Sequence, residues 1–354
     1  MREYSRDDPK TSSHNVPRLS LISGTGNVLV TGGAGYIGSH ACKALAISGY
    51  QPIAYDNLSR GSRASVKWGP LVVGDVMNKH ELRRAIDRLR IEAVMHFAAL
   101  AYVGESVTNP AAYFRNNAAS TISLLEVMAE TGLQPLVFSS TCAVYGTPAE
   151  LPLSEGMNTN PINPYGESKL QTERMLPWFE NAHNLKWVAL RYFNAAGADR
   201  DGEIGENHDP ETHLIPLAIQ AALGAGPRLR IFGTDYPTED GTAVRDYIHV
   251  ADLAHAHVRA LSYLQQGGES TVINLGAGIG YSVRQILDET RRVSRKRVPA
   301  LEAGRRCGDP ASLIADATRA HRLLGWQPQQ SDLTTIVHTA HDWERTKNVA
   351  LAAE

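Results

Sequence analysis

Short apolar runs separated by longer amphipathic stretches set the rhythm of the first half of this chain. Val28–Val30, Pro52–Tyr55, Leu71–Val73, Ala93–Phe97, Leu136–Ser139 and Trp187–Leu190 are the strand candidates. Their apolar residues run on without a polar alternate, as strands buried on both faces of a parallel sheet require. Between them, Lys79–Leu89, Ala111–Thr131 and Tyr165–Asn181 carry apolar residues at helical spacing. Strand, helix, strand, helix from Val28 to Arg191 predicts an α/β fold, a doubly wound parallel sheet covered by helices. Beyond Asn194 the regularity drops. Loops at Ala195–Glu211 and Gly233–Thr242 alternate with helical patterns near Ile215–Leu223, Ala251–Leu264, Val283–Val293 and Leu333–Arg345. The division expected is a first domain over residues 27–193 and a smaller α/β capping domain over 194–354, with residues about 235–265 packing back on the first. Residues 1–26 are polar and irregular, carry Glu3, Asp7 and Asp8, and lack the apolar core of a signal peptide. They read as a disordered extension outside the fold.

The turn after the first strand changes the picture from architecture to chemistry. Thr31-Gly32-Gly33-Ala34-Gly35-Tyr36-Ile37-Gly38 follows Val30 directly and opens a helix. Gly32 permits the tight turn, Gly35 lets backbone approach a pyrophosphate, and Gly38 lets the helix pack close to the strand. An anion seated there meets free N–H groups and the positive end of the helix dipole. The doubly wound sheet is therefore expected to be of Rossmann type. After the second strand comes Asp56, placed to accept hydrogen bonds from an adenosine ribose and to repel a 2′-phosphate, which favours NAD over NADP. Arg60 and Arg63 follow closely and offer charge to such a phosphate, but Asp56 holds the strand-end position.

Composition narrows the partners. The 354 residues carry a net charge of −2 with the signs mixed, so a nucleic-acid partner is not expected. No apolar stretch approaches the ~20 residues of a membrane span. Cys42, Cys142 and Cys307 are widely spaced and odd in number, which suits reduced thiols in the cytoplasm and fits no zinc-ligand pattern. No metal site is expected.

A second constellation lies downstream. Pro164-Tyr165-Gly166-Glu167-Ser168-Lys169 places Tyr165 and Lys169 four residues apart, on one helix face. A free tyrosine, with a pKa of about 10, is a poor base at neutral pH. A neighbouring ammonium and the positive ring of NAD⁺ would draw it toward the working range, and Lys169 can also bond a nicotinamide ribose. Pro164 fits the first turn of the helix. Thr141 stands just past the fifth strand, where a parallel sheet faces its cofactor crevice. From there its hydroxyl can relay a substrate proton.

On these motifs, and on longer stretches, the chain resembles the extended short-chain dehydrogenase/reductases. The longer stretches are Asp56-Asn57-Leu58, His96-Phe97-Ala98-Ala99, Val103–Ser106, Ser139–Gly146, Leu190–Asn194 and Gly233–Val250. Within that family it is most similar to the sugar-nucleotide 4-epimerases, in the form associated with rhizobial exopolysaccharide synthesis. The resemblance runs from Asn27 to about Glu344 and implies NAD-dependent interconversion of UDP-glucose and UDP-galactose by a homodimer. It also implies that Tyr36, Ile37, Asp56, Asn57, Leu58, Ser59, Arg60, Gly61, Asp75, Val76, Phe97, Ala98, Ala99, Asn116, Tyr165, Lys169 and Phe193 line NAD. Thr141, Tyr165, Asn194, Leu214, Phe232, Arg245, Arg306 and Asp309 are placed by it around the UDP-sugar. The dimer would pair Ala111–Thr131 and Tyr165–Asn181 of each subunit, using Ile122, Leu125, Leu170, Met175 and Leu176.

Three positions depart from the family pattern. Ala101 replaces a lysine near the nicotinamide. Thr212-His213-Leu214 replaces Asn-Asn-Leu, which makes His213 the expected pyrophosphate contact. Leu313 stands where relatives carry tyrosine or cysteine in the sugar pocket. His96 reads as a packed structural histidine. Sugar-nucleotide dehydratases share the fold and the Tyr/Lys pair but need a carboxylate after the fifth strand, where this chain has Thr141-Cys142-Ala143. An epimerase for UDP-xylose and UDP-arabinose is the nearest alternative, and the Ala98–Ser106 stretch is compatible with it. A non-catalytic NAD-sensing protein would have no need for Thr141, Tyr165 and Lys169 together.

Overall fold

Along Asn27–Thr31, Val28 and Val30 face one side of a sheet while Leu29 faces the other, and all three are buried. A computed structural model describes residues 24–306 and 308–352 and shows the same division in every central strand. On one side Val28, Val30, Met95, Val137, Val188 and Leu190 pack with Leu45 of helix Tyr36–Ile47 and with Leu253, Leu261 and Leu264 of helix Val250–Gln265. On the other, Leu29, Ile53, Val94, Leu136 and Phe138 pack with Leu82, Leu124, Met128 and Leu176 from helices Lys79–Arg88, Ser120–Thr131 and Pro164–His183. Each such fully buried aliphatic side chain contributes about 1.5–3 kcal/mol through its removal from water. The expected extension, residues 1–26, lies outside the described residues except for Gly24–Gly26.

The sheet has seven parallel strands. Their order is Thr271–Leu275, Trp187–Tyr192, Leu136–Thr141, Ile91–His96, Asn27–Thr31, Gln51–Asp56 and Leu71–Val73. The order reverses between Asn27–Thr31 and Ile91–His96, where Thr31 pairs with His96. That switch point opens a crevice beyond the strands' carboxyl ends, as open α/β sheets do where they bind ligands. Six of the strands match the sequence reading. The seventh comes from beyond residue 194, in a stretch whose sequence gave no strand expectation.

Strand Val244–His249 organises the second region. It pairs with Gly280–Ser282 antiparallel and with Ser312–Leu313 and Asn194–Ala196 in parallel. A separate pair joins Leu229–Phe232 to Ala300–Ala303. Helices Leu214–Leu223, Val283–Ser294 and Leu333–Ala352 pack around Ile215, Ile219, Tyr247, Ile286, Ile336 and Val337. His249 caps the next helix through Ala251 N, at 3.1 Å, and that helix turns back over the first sheet.

The expected dimer face needs one correction. Leu125, Leu170 and Leu176 are consumed by the core of the monomer, so they are not surplus apolar surface. Ile122 and, on the second helix, Trp178 are large exposed apolar side chains of those segments, with Met175 half-buried. Among the described residues no helix is long and apolar enough to cross a membrane.

Candidate active site

The glycine turn is built so that side chains cannot occupy it. Gly32 has φ +73°, and a Cβ there would stand 2.7 Å from Ala98 N in the loop after the adjoining strand. A Cβ on Gly38 would come within 2.1 Å of Gly32 O, so the helix can approach the turn only without one. Gly35 caps helix Tyr36–Ile47 with no side-chain hydrogen bond, which leaves the first amides of the helix free for an anion. Ile37 packs partly buried at the helix start, and Tyr36 donates its hydroxyl proton to Gly197 O at 2.6 Å.

Asp56 is the last residue of its strand and is buried, accepting from Ala34 N (3.0 Å) and Leu58 N (2.8 Å). Burial raises its carboxyl above the ordinary range against those two bonds. Leu58 takes φ 61°, and Ser59 N bonds the Asn57 side chain, so the chain doubles back. A Cβ on Gly61 would crowd Ala34 and Asp56. Asn57 Nδ2 donates to Asp75 at 3.0 Å, and the neighbouring Val76 is buried. Arg60 is held by Glu105 at 3.1 Å and lies over the Tyr102 ring, so its charge has a partner within the chain. Phe97, Ala98 and Ala99 line the far side of the turn, half-buried, and the Phe97 ring sits 4.6 Å from that of His257.

Tyr165 and Lys169 lie on helix Pro164–His183, whose first turn begins with Pro164 and is capped by the Asn163 side chain on Gly166 N at 2.9 Å. Both are buried on the face toward the sheet. Lys169 Nζ donates to Ser139 O at 2.8 Å and stands 5.0 Å from the Phe138 ring centre. Burial draws its pKa from 10.5 down to about 7, against the pull of the Glu173 carboxylate. Around Tyr165 the chain's own groups oppose ionisation. Its phenol is pushed well above 10 by burial, with Tyr192 adding to the shift, while a hydrogen bond with Thr141 works in the opposite sense. The ammonium is spent on a backbone carbonyl instead of the phenol. Thr141, the last residue of its strand, also accepts from Ala143 N at 3.1 Å. His96 is the packed residue expected, buried between Thr31 (2.6 Å) and Thr121 (3.0 Å), and burial lowers it to about 3.

The residues assigned to the second region gather around strand Val244–His249. Arg245 pairs with Asp309, and Leu313 sits opposite Arg245 in the strand register. Arg306 lies 3.9 Å above the Phe232 ring, where burial lowers its pKa. Leu313 packs in one buried cluster with Phe193, Cys142 and Leu170, the last of these one position beyond Lys169. Asn194 begins its short strand half-buried, and Leu214 opens helix Leu214–Leu223. His213 caps that helix, but its Nδ1 is engaged by Glu206 at 2.7 Å and Glu211 at 3.0 Å. Those carboxylates raise it to about 10.

Several supporting groups carried no sequence signal. Asn116 was expected in the site, yet its neighbour Asn117 is the buried one. Asn117 bonds Leu100 N and O and Ser168, tying the loop after the fourth strand to the Tyr165 helix. The turn that presents it, Phe114–Ala119, is π-helical, an irregularity that recurs at functional sites. Behind Lys169, Glu173 forms a buried ion pair with Arg191 and accepts from Ser140, and Arg191 reaches Tyr145 at 3.0 Å. This network fixes the helix against the fifth and sixth strands. Cys42 and Cys142 are buried free thiols, both pushed up to about 12, and Cys307 lies outside the described residues.

Comparison with known proteins places this geometry among relatives. The NAD dependent epimerase/dehydratase family model matches residues 28–276. A UDP-glucose 4-epimerase of Rhizobium meliloti (strain 1021) is 50% identical over 322 residues, covering 91% of this chain and 98% of its own. The crystal structure of UDP-glucose 4-epimerase from Brucella ovis in complex with NAD has a TM-score of 0.88 at 51% identity. It covers 90% of this chain and 98% of that one. A UDP-glucose-4-epimerase from Stenotrophomonas maltophila, with bound NAD and formylated UDP-arabinopyranose, gives 0.89 at 40% identity, covering 92% and 99%.

Proposed function

The chain belongs to the NAD dependent epimerase/dehydratase family, and from that premise we propose that it interconverts UDP-glucose and UDP-galactose through transient oxidation at sugar C4. The observation that carries this reading is the convergence of Thr141, Tyr165 and Lys169 at the carboxyl end of the fifth strand, on the same sheet edge as the glycine turn. The residues of the turn fit NAD. Gly32, Gly35 and Gly38 leave room for a pyrophosphate, the helix amides are uncapped, and Asp56 suits a ribose without a 2′-phosphate. Bound there, NAD supplies the hydride acceptor and donor, and its positive ring favours the Tyr165 phenolate.

The chain's own residues then handle the proton and the sugar. Tyr165 takes the O4 proton, Thr141 shares it, and Lys169 holds the nicotinamide ribose. Arg245, Arg306, Phe232, Asp309, Asn194, Leu214 and His213 receive the UDP portion. Two arginines near a diphosphate follow the preference of that group for bidentate cations. Asp56, Asn57, Leu58, Ser59, Arg60, Gly61, Asp75 and Val76 surround the adenosine end, and Phe97, Ala98, Ala99, Asn116 and Phe193 the nicotinamide end.

The loop Thr141-Cys142-Ala143 offers no carboxylate for water loss, which counts against a dehydratase. The relatives' names favour the hexose reaction over UDP-xylose/UDP-arabinose. Side-by-side kcat/KM for UDP-galactose, UDP-arabinose and UDP-N-acetylgalactosamine tests the assignment, with UDP-galactose expected highest; a higher value for UDP-arabinose would replace it with the pentose reading. We also infer a cytoplasmic homodimer with no nucleic-acid partner, for which the exposed Ile122 and Trp178 offer contact surface. Light scattering that found only monomer at micromolar concentration would count against the dimer.

A further inference from the structure

The loop Glu206–His213 gathers four potential ligands into a volume the size of one ion. None of the four is a cysteine, the residue type whose spacing argues against a zinc site in the sequence. Here Glu206, His208, Glu211 and His213 each offer one oxygen or nitrogen, and the four atoms lie within 4.8 Å of one another. Both imidazoles turn Nδ1 inward: His208 stands 2.9 Å from Glu206 and 3.9 Å from Glu211, and His213 2.7 Å and 3.0 Å from the same two. Donors held about 2.0–2.2 Å from a tetrahedral ion stand roughly 3.3–3.6 Å apart, so the observed spacings bracket that arrangement.

A second observation points inward as well. Glu211 is 7% exposed at its side chain, and its Oε2 is buried with no hydrogen-bond partner, although it faces His208 Nδ1 at 3.9 Å. Its other oxygen is already taken by Thr212 N and His213 N, which fixes the free one in place. An orphaned buried carboxylate oxygen is costly unless a water or an ion completes it. Glu206 is equally well held, since its carbonyl accepts from Trp343 Nε1 at 2.8 Å and Lys347 Nζ at 3.3 Å.

We propose that Glu206, His208, Glu211 and His213 form a binding site for a divalent transition metal of the zinc class. Two imidazoles and two carboxylates suit Zn²⁺ or Co²⁺ better than Mg²⁺ or Ca²⁺, which prefer six or more oxygens. Binding exchanges the Nδ1 protons for the metal and releases them to solvent. The ion would join the two ends of the loop that leads into helix Leu214–Leu223, next to Tyr36 of the glycine turn, whose ring lies 6.2 Å from that of His208. His213 is shared with the UDP-sugar contacts proposed above, so metal binding is read on protein free of nucleotide sugar, where its outcome stands apart from that of the reaction. The neighbouring acidic group Asp199, Asp201 and Glu203 is a different case, because Lys43 already sits among its carboxylates.

The test is calorimetric titration of the chelator-stripped full-length protein with Zn²⁺ and with Co²⁺. One equivalent per chain is expected. His208→Asn and Glu211→Gln should each weaken it by ~100-fold, at or beyond the loss expected from removing an outer-shell partner. Asp201→Asn should leave the affinity unchanged. X-ray absorption at the zinc edge of the wild-type protein gives a reading that does not require the variants to fold. Imidazole and oxygen neighbours alone support the site. No saturable binding, affinity indifferent to His208 and Glu211, or sulfur among the neighbours would overturn it.

Discussion

Lys169 should cost the fold stability at neutral pH, and Lys169→Met measures how much. Burial takes its pKa from 10.5 to about 7. At ~1.36 kcal/mol for each pKa unit, that interval is worth about 5 kcal/mol between the charged and neutral forms. The sign follows from proton counting. The folded pKa lies below the unfolded one, so between pH 7 and 10.5 the unfolded chain binds more protons and this group's contribution to stability rises with pH. Methionine keeps the length of the side chain, removes the burial penalty, and forfeits the hydrogen bond to Ser139 O, worth about 1.5–3 kcal/mol for a charged donor. Equilibrium denaturant unfolding of the cofactor-free protein is the assay. The variant should be more stable by about 2 kcal/mol at pH 7, while epimerase activity collapses. The margin should shrink toward zero by pH 10, where lysine in the unfolded chain also begins to lose its proton. A variant less stable than wild type at pH 7, or a margin indifferent to pH, would show that burial does not penalise this ammonium.

Tyr165→Phe should lower kcat by roughly 10²–10⁴ with little change in KM, and Thr141→Val should lower it less, since water can replace a shared hydroxyl. Comparable losses in the two variants would undo the division of roles. Leu313→Ala should raise kcat/KM for UDP-N-acetylgalactosamine relative to UDP-galactose by about 10–200-fold, and Leu313→Tyr should lower that ratio. An unchanged ratio in both would place the gate elsewhere. Glu173→Gln strands the buried Arg191 charge and should cost about 3–5 kcal/mol in denaturant unfolding. A loss below about 1 kcal/mol, the range of an exposed pair, would mean the pair is solvated.

The first sheet was legible because its signals are local. Continuous apolar runs marked six strands, and the glycines announced a turn whose geometry excludes side chains. Strand Thr271–Leu275 escaped because it follows a long excursion and is recruited by pairing with Trp187–Tyr192, a contact no window of sequence contains. Tyr165, Lys169 and Thr141 were readable from spacing and strand-end position, but the protonation of Tyr165 was not. Helix spacing places the ammonium on the same face without saying that Ser139 O takes it. Leu125, Leu170 and Leu176 illustrate the same limit, since periodicity cannot distinguish a leucine buried in its own subunit from one reserved for a partner. Three of the Glu206–His213 cluster lie in the expected loop Ala195–Glu211 and His213 just beyond it, and only folding turns the four side chains to one point.

The C4 hydrogen of the sugar offers the most direct test of the proposed reaction. UDP-galactose carrying deuterium at C4 would be incubated with the protein as purified, with no dinucleotide added, and the product analysed by NMR and by absorbance for reduced cofactor. Epimerisation through a transient 4-ketone predicts UDP-glucose with the deuterium still at C4 and no net reduced cofactor. Deuterium lost from the sugar, with the cofactor left reduced in step with product, would make the protein a dehydrogenase and contradict the reading.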